Sequence, residues 1–192
     1  MNAELNILSK CSIRNQCVYK NDQKLFEAPD EPNPPAFMAA LYKDLRLDYR
    51  KFFKMDNLSK LAFLASEVLL DGLIDRETPH RDIAVVLFNR SASLDIDATY
   101  RQSIRDRENF FPSPSEFVYT LPNIMTGEIA IRNKLFGETA CFISEKFDIA
   151  DLYRKVSDVM DDTVQQCICG WVEYCGNHYE AEMFLVSPLY LS

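Results

Sequence analysis

Glycine is scarce in this chain, with five in 192 residues and no two adjacent. A phosphate loop, a dinucleotide-binding turn and a Gly-x-Ser-x-Gly nucleophile elbow all need clustered glycines, so all three are excluded. Histidine is rarer still, at His80 and His178 only. Both lie in turn-like stretches and are given no role. The six cysteines include no Cys-x-x-Cys pair and there is no histidine pair, which are the spacings of a tetrahedral zinc site. No metal is therefore expected, and no motif for an organic cofactor is found. Long apolar runs are missing as well. Leu61 to Leu70 is interrupted by Glu67 and falls far short of the ~20 residues of a membrane helix. The first residues carry Glu4, Lys10 and Arg14 with no apolar segment between them, so no signal peptide is expected and the protein reads as cytoplasmic. Basic charge is in deficit, with 21 Lys and Arg against 29 Asp and Glu, a net charge of -8. Without a basic patch such a surface repels duplex DNA and RNA.

What is present is ordinary for a soluble globular protein: 47% hydrophobic and 26% charged residues. The length suits one domain over residues 1–192. Without a signal peptide, Cys11, Cys17, Cys141, Cys167, Cys169 and Cys175 read as reduced thiols, mostly buried. Leu5 to Ile13 reads as a first strand with Leu5, Ile7, Cys11 and Ile13 on one face. Pro29, Pro32, Pro34 and Pro35 mark a loop, and Phe37 to Leu45 a short helix. Asn57 reads as the N-cap of an amphipathic helix carrying Leu58, Leu61, Ala62, Ala65, Val68 and Leu69, which Asp71-Gly72 ends. Asp82 to Phe88 is apolar on both faces, the mark of a central strand covered on both sides. The loop Asn89 to Ser93 follows that strand's end, where ligands bind in open α/β sheets. A loop that merely satisfies its own backbone is the better expectation. Thr99 to Arg105 reads as a further helix. The alternation argues for a layered α/β fold.

One stretch organises the rest. Tyr119 to Ile131 is an apolar helix pattern introduced by Pro122-Asn123. Asn133-Lys134-Leu135-Phe136-Gly137 and the strand Thr139-Ala140-Cys141-Phe142-Ile143 follow. Asp148 to Met160 is a second helix pattern, and the stretch closes on Cys169-Gly170-Trp171-Val172-Glu173. This order resembles the nucleophile region of β-ketoacyl synthases, the condensing enzymes of fatty-acid and polyketide synthesis. Lys54-Met55 with Ser59-Lys60-Leu61-Ala62 resembles a further pattern of that family, and Ala181 to Ser187 the last strand of its N-terminal half. The resemblance implies one half of a thiolase-like α/β fold, a mixed five-stranded sheet with helices on both faces.

It also implies where a nucleophile belongs, at the start of the helix after the short strand. Counting about nine residues from Gly137 gives Lys146, and counting back about twenty-five from Gly170 gives Glu145. Neither side chain forms a thioester. Cys141 is the competitor, in Thr139-Ala140-Cys141. A mid-strand thiol is a small hydrophobe with a raised pKa. The family's two catalytic histidines belong to a second half that this chain does not contain. Within Asp148 to Met160, Ile149, Leu152, Val156 and Val159 form one apolar stripe opposite Asp151, Arg154, Lys155 and Asp158, a one-faced helix that meets water. The reading is a catalytically silent ketosynthase-like protein working beside acyl-carrier-protein-dependent enzymes of fatty-acid, aryl-polyene or polyketide type. The alternatives are an acyltransferase or thioesterase using Cys141, and a small-ligand binding protein on the same fold. The strand Thr139 to Ile143 is apolar, uncharged and free of Pro. The resemblance places it at a sheet edge, pairing with its own copy or with a full-length ketosynthase, with an acyl carrier protein as a further partner.

Overall fold

A computed structural model describes residues 4–106, 108 and 110–189. In chain order the elements are β1 (Leu5–Arg14), β2 (Cys17–Lys20), β3 (Gln23–Glu27), α1 (Pro34–Asp44), a 3₁₀ turn (Arg50–Lys54), α2 (Asn57–Leu70), β4 (Ile83–Asn89), α3 (Leu94–Ser103), α4 (Pro114–Tyr119), α5 (Ile124–Asn133), β5 (Thr139–Ile143), α6 (Ile149–Val159), β6 (Gln166–Cys175) and β7 (His178–Pro188). The strands form one mixed sheet in the order β3-β2-β1-β7-β6-β4-β5. Strand β4 runs parallel to β5 and β6, while β7 runs antiparallel to β6 and β1.

The sheet has seven strands where five are expected. The extra pair is β2 and β3, which extend it beyond β1 through two-residue loops at Asn15-Gln16 and Asn21-Asp22. All four loop residues have positive φ, between 49° and 64°. Such turns match the twist of the flanking strands and are usually written with glycine. Here asparagine begins both, so a sequence poor in glycine conceals two hairpins.

Strand β4 is buried at every position. Val85 and Leu87 pack into the larger core with α1, α2 and α5, while Ala84, Val86 and Phe88 pack on the opposite face, under α6. Helix α2 departs from its expected one-sided pattern. Twelve of its residues are buried, Glu67 among them. That carboxylate is held by Arg132 Nε at 2.9 Å and Arg76 Nη1 at 3.2 Å, which is how a buried charge is tolerated. The N-cap is Asp56, one residue before the expected Asn57; its side chain accepts from Ser59 N at 3.1 Å. The helix expected at Thr99 to Arg105 begins earlier, at Leu94.

Strand β1 does not keep one apolar face. A bulge at Leu8 sets Ile7 opposite Val186 but Ser9 opposite Leu185. One extra residue reverses the alternation. Cys11 and Ile13 therefore enter the larger core, while Leu5 and Ile7 turn to the α6 face. Gly170 lies within β6 and has φ +147°; a Cβ there would overlap the carbonyl of Glu182 on β7.

Candidate functional site

The junction between β5 and α6 is where the resemblance implies a nucleophile. Strand β5 leads into Ser144, whose N–H donates to Asn89 O at 2.8 Å. Glu145 and Lys146 follow as exposed bend residues. Helix α6 then starts under the Asp148 carboxylate, which accepts from Ala150 N at 2.8 Å and Asp151 N at 3.3 Å. Free N–H groups at a helix N-terminus stabilise an oxyanion or a thiolate. Here the helix's own cap takes two of them.

Cys141 sits in the middle of β5, in register with Leu87 of β4. Its side chain is half-buried against the larger core, on the sheet face opposite α6. Phe142, the next residue, packs on the α6 side, and Lys155 Nζ lies 5.0 Å from its ring centre. The sheet thus separates the Cys141 sulfur from the helix end that would activate it. Burial pushes its thiol up to about 11.

The loop Asn89 to Ser93 is held from the neighbouring strand. Glu173, buried on β6, accepts from Arg90 N at 2.8 Å and Ser91 N at 3.1 Å, and also from the Ser91 hydroxyl. Asn89 Nδ2 donates to Ala92 O at 3.1 Å, while Asn89 Oδ1 is buried without a hydrogen bond. Charge-assisted bonds of this kind are strong. The loop's backbone is therefore satisfied partly by Glu173 and partly by Asn89 within the loop itself, and the Arg90 and Ser91 N–H groups are not offered to a ligand.

A cleft that sequence reasoning missed opens between the start of α2 and the helices α3 and α4. It encloses about 620 Å³, and Lys54, Met55, Asp56, Asp95, Glu116 and Tyr119 are in its lining. The Lys54-Met55 pair singled out in the sequence therefore faces this cleft. Burial raises the Asp56 carboxyl above its usual range, against hydrogen bonds from Ser59. The Tyr119 hydroxyl donates to Glu128 Oε1 at 3.0 Å, and Lys51 Nζ stands 2.7 Å from Glu128 Oε2. Burial and the Glu128 charge together push the Tyr119 phenol up. The one legible signal was Glu128 inside an apolar helix pattern. Its partner Lys51 comes from a segment distant in the chain, which spacing cannot reveal.

His80 bridges to Leu135 in a turn, and His178 is exposed at the start of β7. Among the described residues no three His, Cys, Asp or Glu side chains gather as metal ligands, and no helix is long and apolar enough to cross a membrane.

No family model and no curated protein matches this sequence. Solved structures do. The ketosynthase ApeO in complex with its chain length factor ApeC, from Xenorhabdus doucetiae, matches with a TM-score of 0.63 at 13% identity, over 96% of this chain and 79% of that one. The ishigamide ketosynthase/chain length factor matches with a TM-score of 0.65 at 16% identity, over 98% and 63%. AntDE:AntF, a type II polyketide synthase acyl-carrier protein in complex with its ketosynthase bound to the hexaketide, gives 0.63 at 11%, over 97% and 62%. The chain thus has the thiolase-like fold of ketosynthase and chain-length-factor structures across nearly all its length. It spans less than two thirds of two of these three matched chains. At such identities the likeness is one of fold.

Proposed function

We propose that this protein is a non-catalytic partner subunit of a ketosynthase, in a pathway whose intermediates ride on an acyl carrier protein. The observation that carries the reading is the β5–α6 junction. The resemblance puts the condensing enzymes' cysteine at Glu145 or Lys146, exposed bend residues that form no thioester, and Asp148 takes two N–H groups at the start of the helix that follows. Cys141 offers no substitute, because burial keeps its thiol neutral and the sheet divides it from α6. The matched structures supply the context, since they are complexes of ketosynthases with a chain length factor or a carrier protein.

The partner surface is the edge of β5. This strand pairs with β4 on one side and ends the sheet on the other. Its outer N–H and C=O groups are a template for another strand. It contains neither charge nor Pro; Ile143 is exposed at its last position, and Phe136 is exposed in the turn before it. Adding a strand there satisfies the backbone and covers Ile143.

The test is co-expression of the tagged protein with a ketosynthase encoded beside it, followed by affinity capture. The ketosynthase should co-purify with the parent and be lost with Ile143→Lys, a change at a residue 53% exposed. Intact mass after incubation with an acyl thioester should show no adduct on the parent. Acylation that Cys141→Ser abolishes would replace this reading with that of an acyltransferase or thioesterase.

A further inference from the structure

The cleft between the start of α2 and the helices α3 and α4 has no part in the partner contact proposed above. At about 620 Å³ it has the size of an ordinary small-ligand site. Its walls come from three separate parts of the chain. Lys54 ends the 3₁₀ turn, Asp95 and Ile96 open α3, and Glu116 and Tyr119 belong to α4. Buried Met55 and half-buried Ile96 supply apolar lining. Phe53 also lines the cleft and is 65% exposed; edge contacts with Tyr42 and Phe52 fix its ring.

Several polar groups in this lining are already engaged. Asp56 accepts from Ser59 N, and burial favours its neutral form. Asp95 accepts from Gly176 N at 3.0 Å and from Asn57 Nδ2 at 3.4 Å. The Tyr119 hydroxyl is given to Glu128. Two opposite charges are left over. Among the described residues, the side chains of Lys54 and Glu116 have no hydrogen-bond or ion-pair partner, and they do not pair with each other. One stands on the α2 wall and the other on the α4 wall.

We infer that this cleft binds a small zwitterion whose ammonium and carboxylate are set apart by an apolar body, the chemistry of an ω-amino acid or a short peptide. The ligand's carboxylate meets Lys54, and its ammonium meets Glu116 with Asp95 close by on α3. The body between them lies against Met55, Ile96 and the Phe53 ring. Charge-assisted hydrogen bonds in a partly enclosed site are stronger than at an open surface. A ligand with one charge leaves the opposite wall unmatched, and an apolar ligand desolvates both charges without return. The reversed orientation sets like charges together, so the binding direction is fixed.

The test is isothermal titration calorimetry of the whole protein at millimolar probe concentration. The zwitterionic probes are aminocaproate and the dipeptide glycylphenylalanine. Hexylamine and caproate are the single-charge halves of the first. At least one zwitterion should bind, one per chain, and each half should bind about tenfold more weakly. Which zwitterion binds separates the amino-acid source from the peptide source. Lys54→Met and Glu116→Gln keep their side chains' size and should melt with the parent. Each should weaken zwitterion binding about tenfold, while Ile143→Lys, at the β5 edge, should bind as the parent does. Failure of both zwitterions to bind the parent overturns the inference. So do cleft variants that bind like the parent, or hexylamine binding as tightly as aminocaproate.

Discussion

At the scale of single residues, environment decides what each reactive group can do. Cys141 is one of six cysteines, and its sequence context alone suggested chemistry. Its thiol sits at about 11, so at pH 8 only about one molecule in a thousand carries a thiolate. Alkylation with iodoacetamide should label exposed Cys175 first, and the rate at Cys141 should climb about tenfold per pH unit up to that value. Fast labelling of Cys141 at pH 7 would show a thiol activated in a way this environment does not provide. Asp56 gives a second, oppositely framed case. Its carboxyl is raised from 3.8 by burial, so the folded state holds the proton more tightly than the unfolded state. That contribution is complete below about 3.8 and is lost as pH rises through the folded value. Asparagine caps a helix as well as aspartate. Asp56→Asn should therefore melt above the parent at pH 7, with the gap closing toward pH 3. A gap that widens on acidification would mean the carboxylate form is favoured in the fold.

At the scale of elements, legibility followed how local the determining signal was. Strand β4 was readable because a covered strand writes an unbroken apolar run, and it is buried throughout. Val85→Asp there should cost roughly 4 kcal/mol or more, seen as a collapse of the denaturant midpoint. A variant as stable as its parent would be incompatible with a strand packed on both faces. Strand β5 and the Asp148 cap of α6 were readable for the same reason, since a short uncharged run and an Asx start are local patterns. The β2–β3 hairpins were not, because Asn15-Gln16 and Asn21-Asp22 reach positive φ without glycine. Nor was the face reversal in β1, because the bulge at Leu8 is fixed by pairing with β7. Glu67 looked like an interruption of an apolar run. It proved to be the place where Arg132 and Arg76, from elsewhere in the chain, anchor α2. At the site, the turn between β5 and α6 was legible, because Ser144, Glu145 and Lys146 break the apolar run before the Asp148 start. The Glu173 cradle of the Asn89 to Ser93 loop was not, because its members stand 82 and 83 residues apart.

For the whole molecule the net charge of -8 bears on what can meet the β5 edge. The strand itself is uncharged and closes one end of the sheet. If a strand is added there as proposed, backbone pairing and cover of Ile143 supply the contact, and the remaining charge acts at longer range. The screening length falls from about 30 Å at 0.01 M salt to about 8 Å at 0.15 M. A second copy carries the same net charge, so repulsion opposes pairing of two copies at this edge. Such pairing should therefore strengthen over that range, read as a rise in weight-average mass by sedimentation equilibrium at fixed protein concentration. Ile143→Lys should lose most of this rise, because it sets a charge at the end of the strand that must pair. Pairing with a ketosynthase reports that partner's charge instead. If self-association weakens as salt is added, opposite charges hold the copies together, and the uncharged β5 edge is not the surface that joins them.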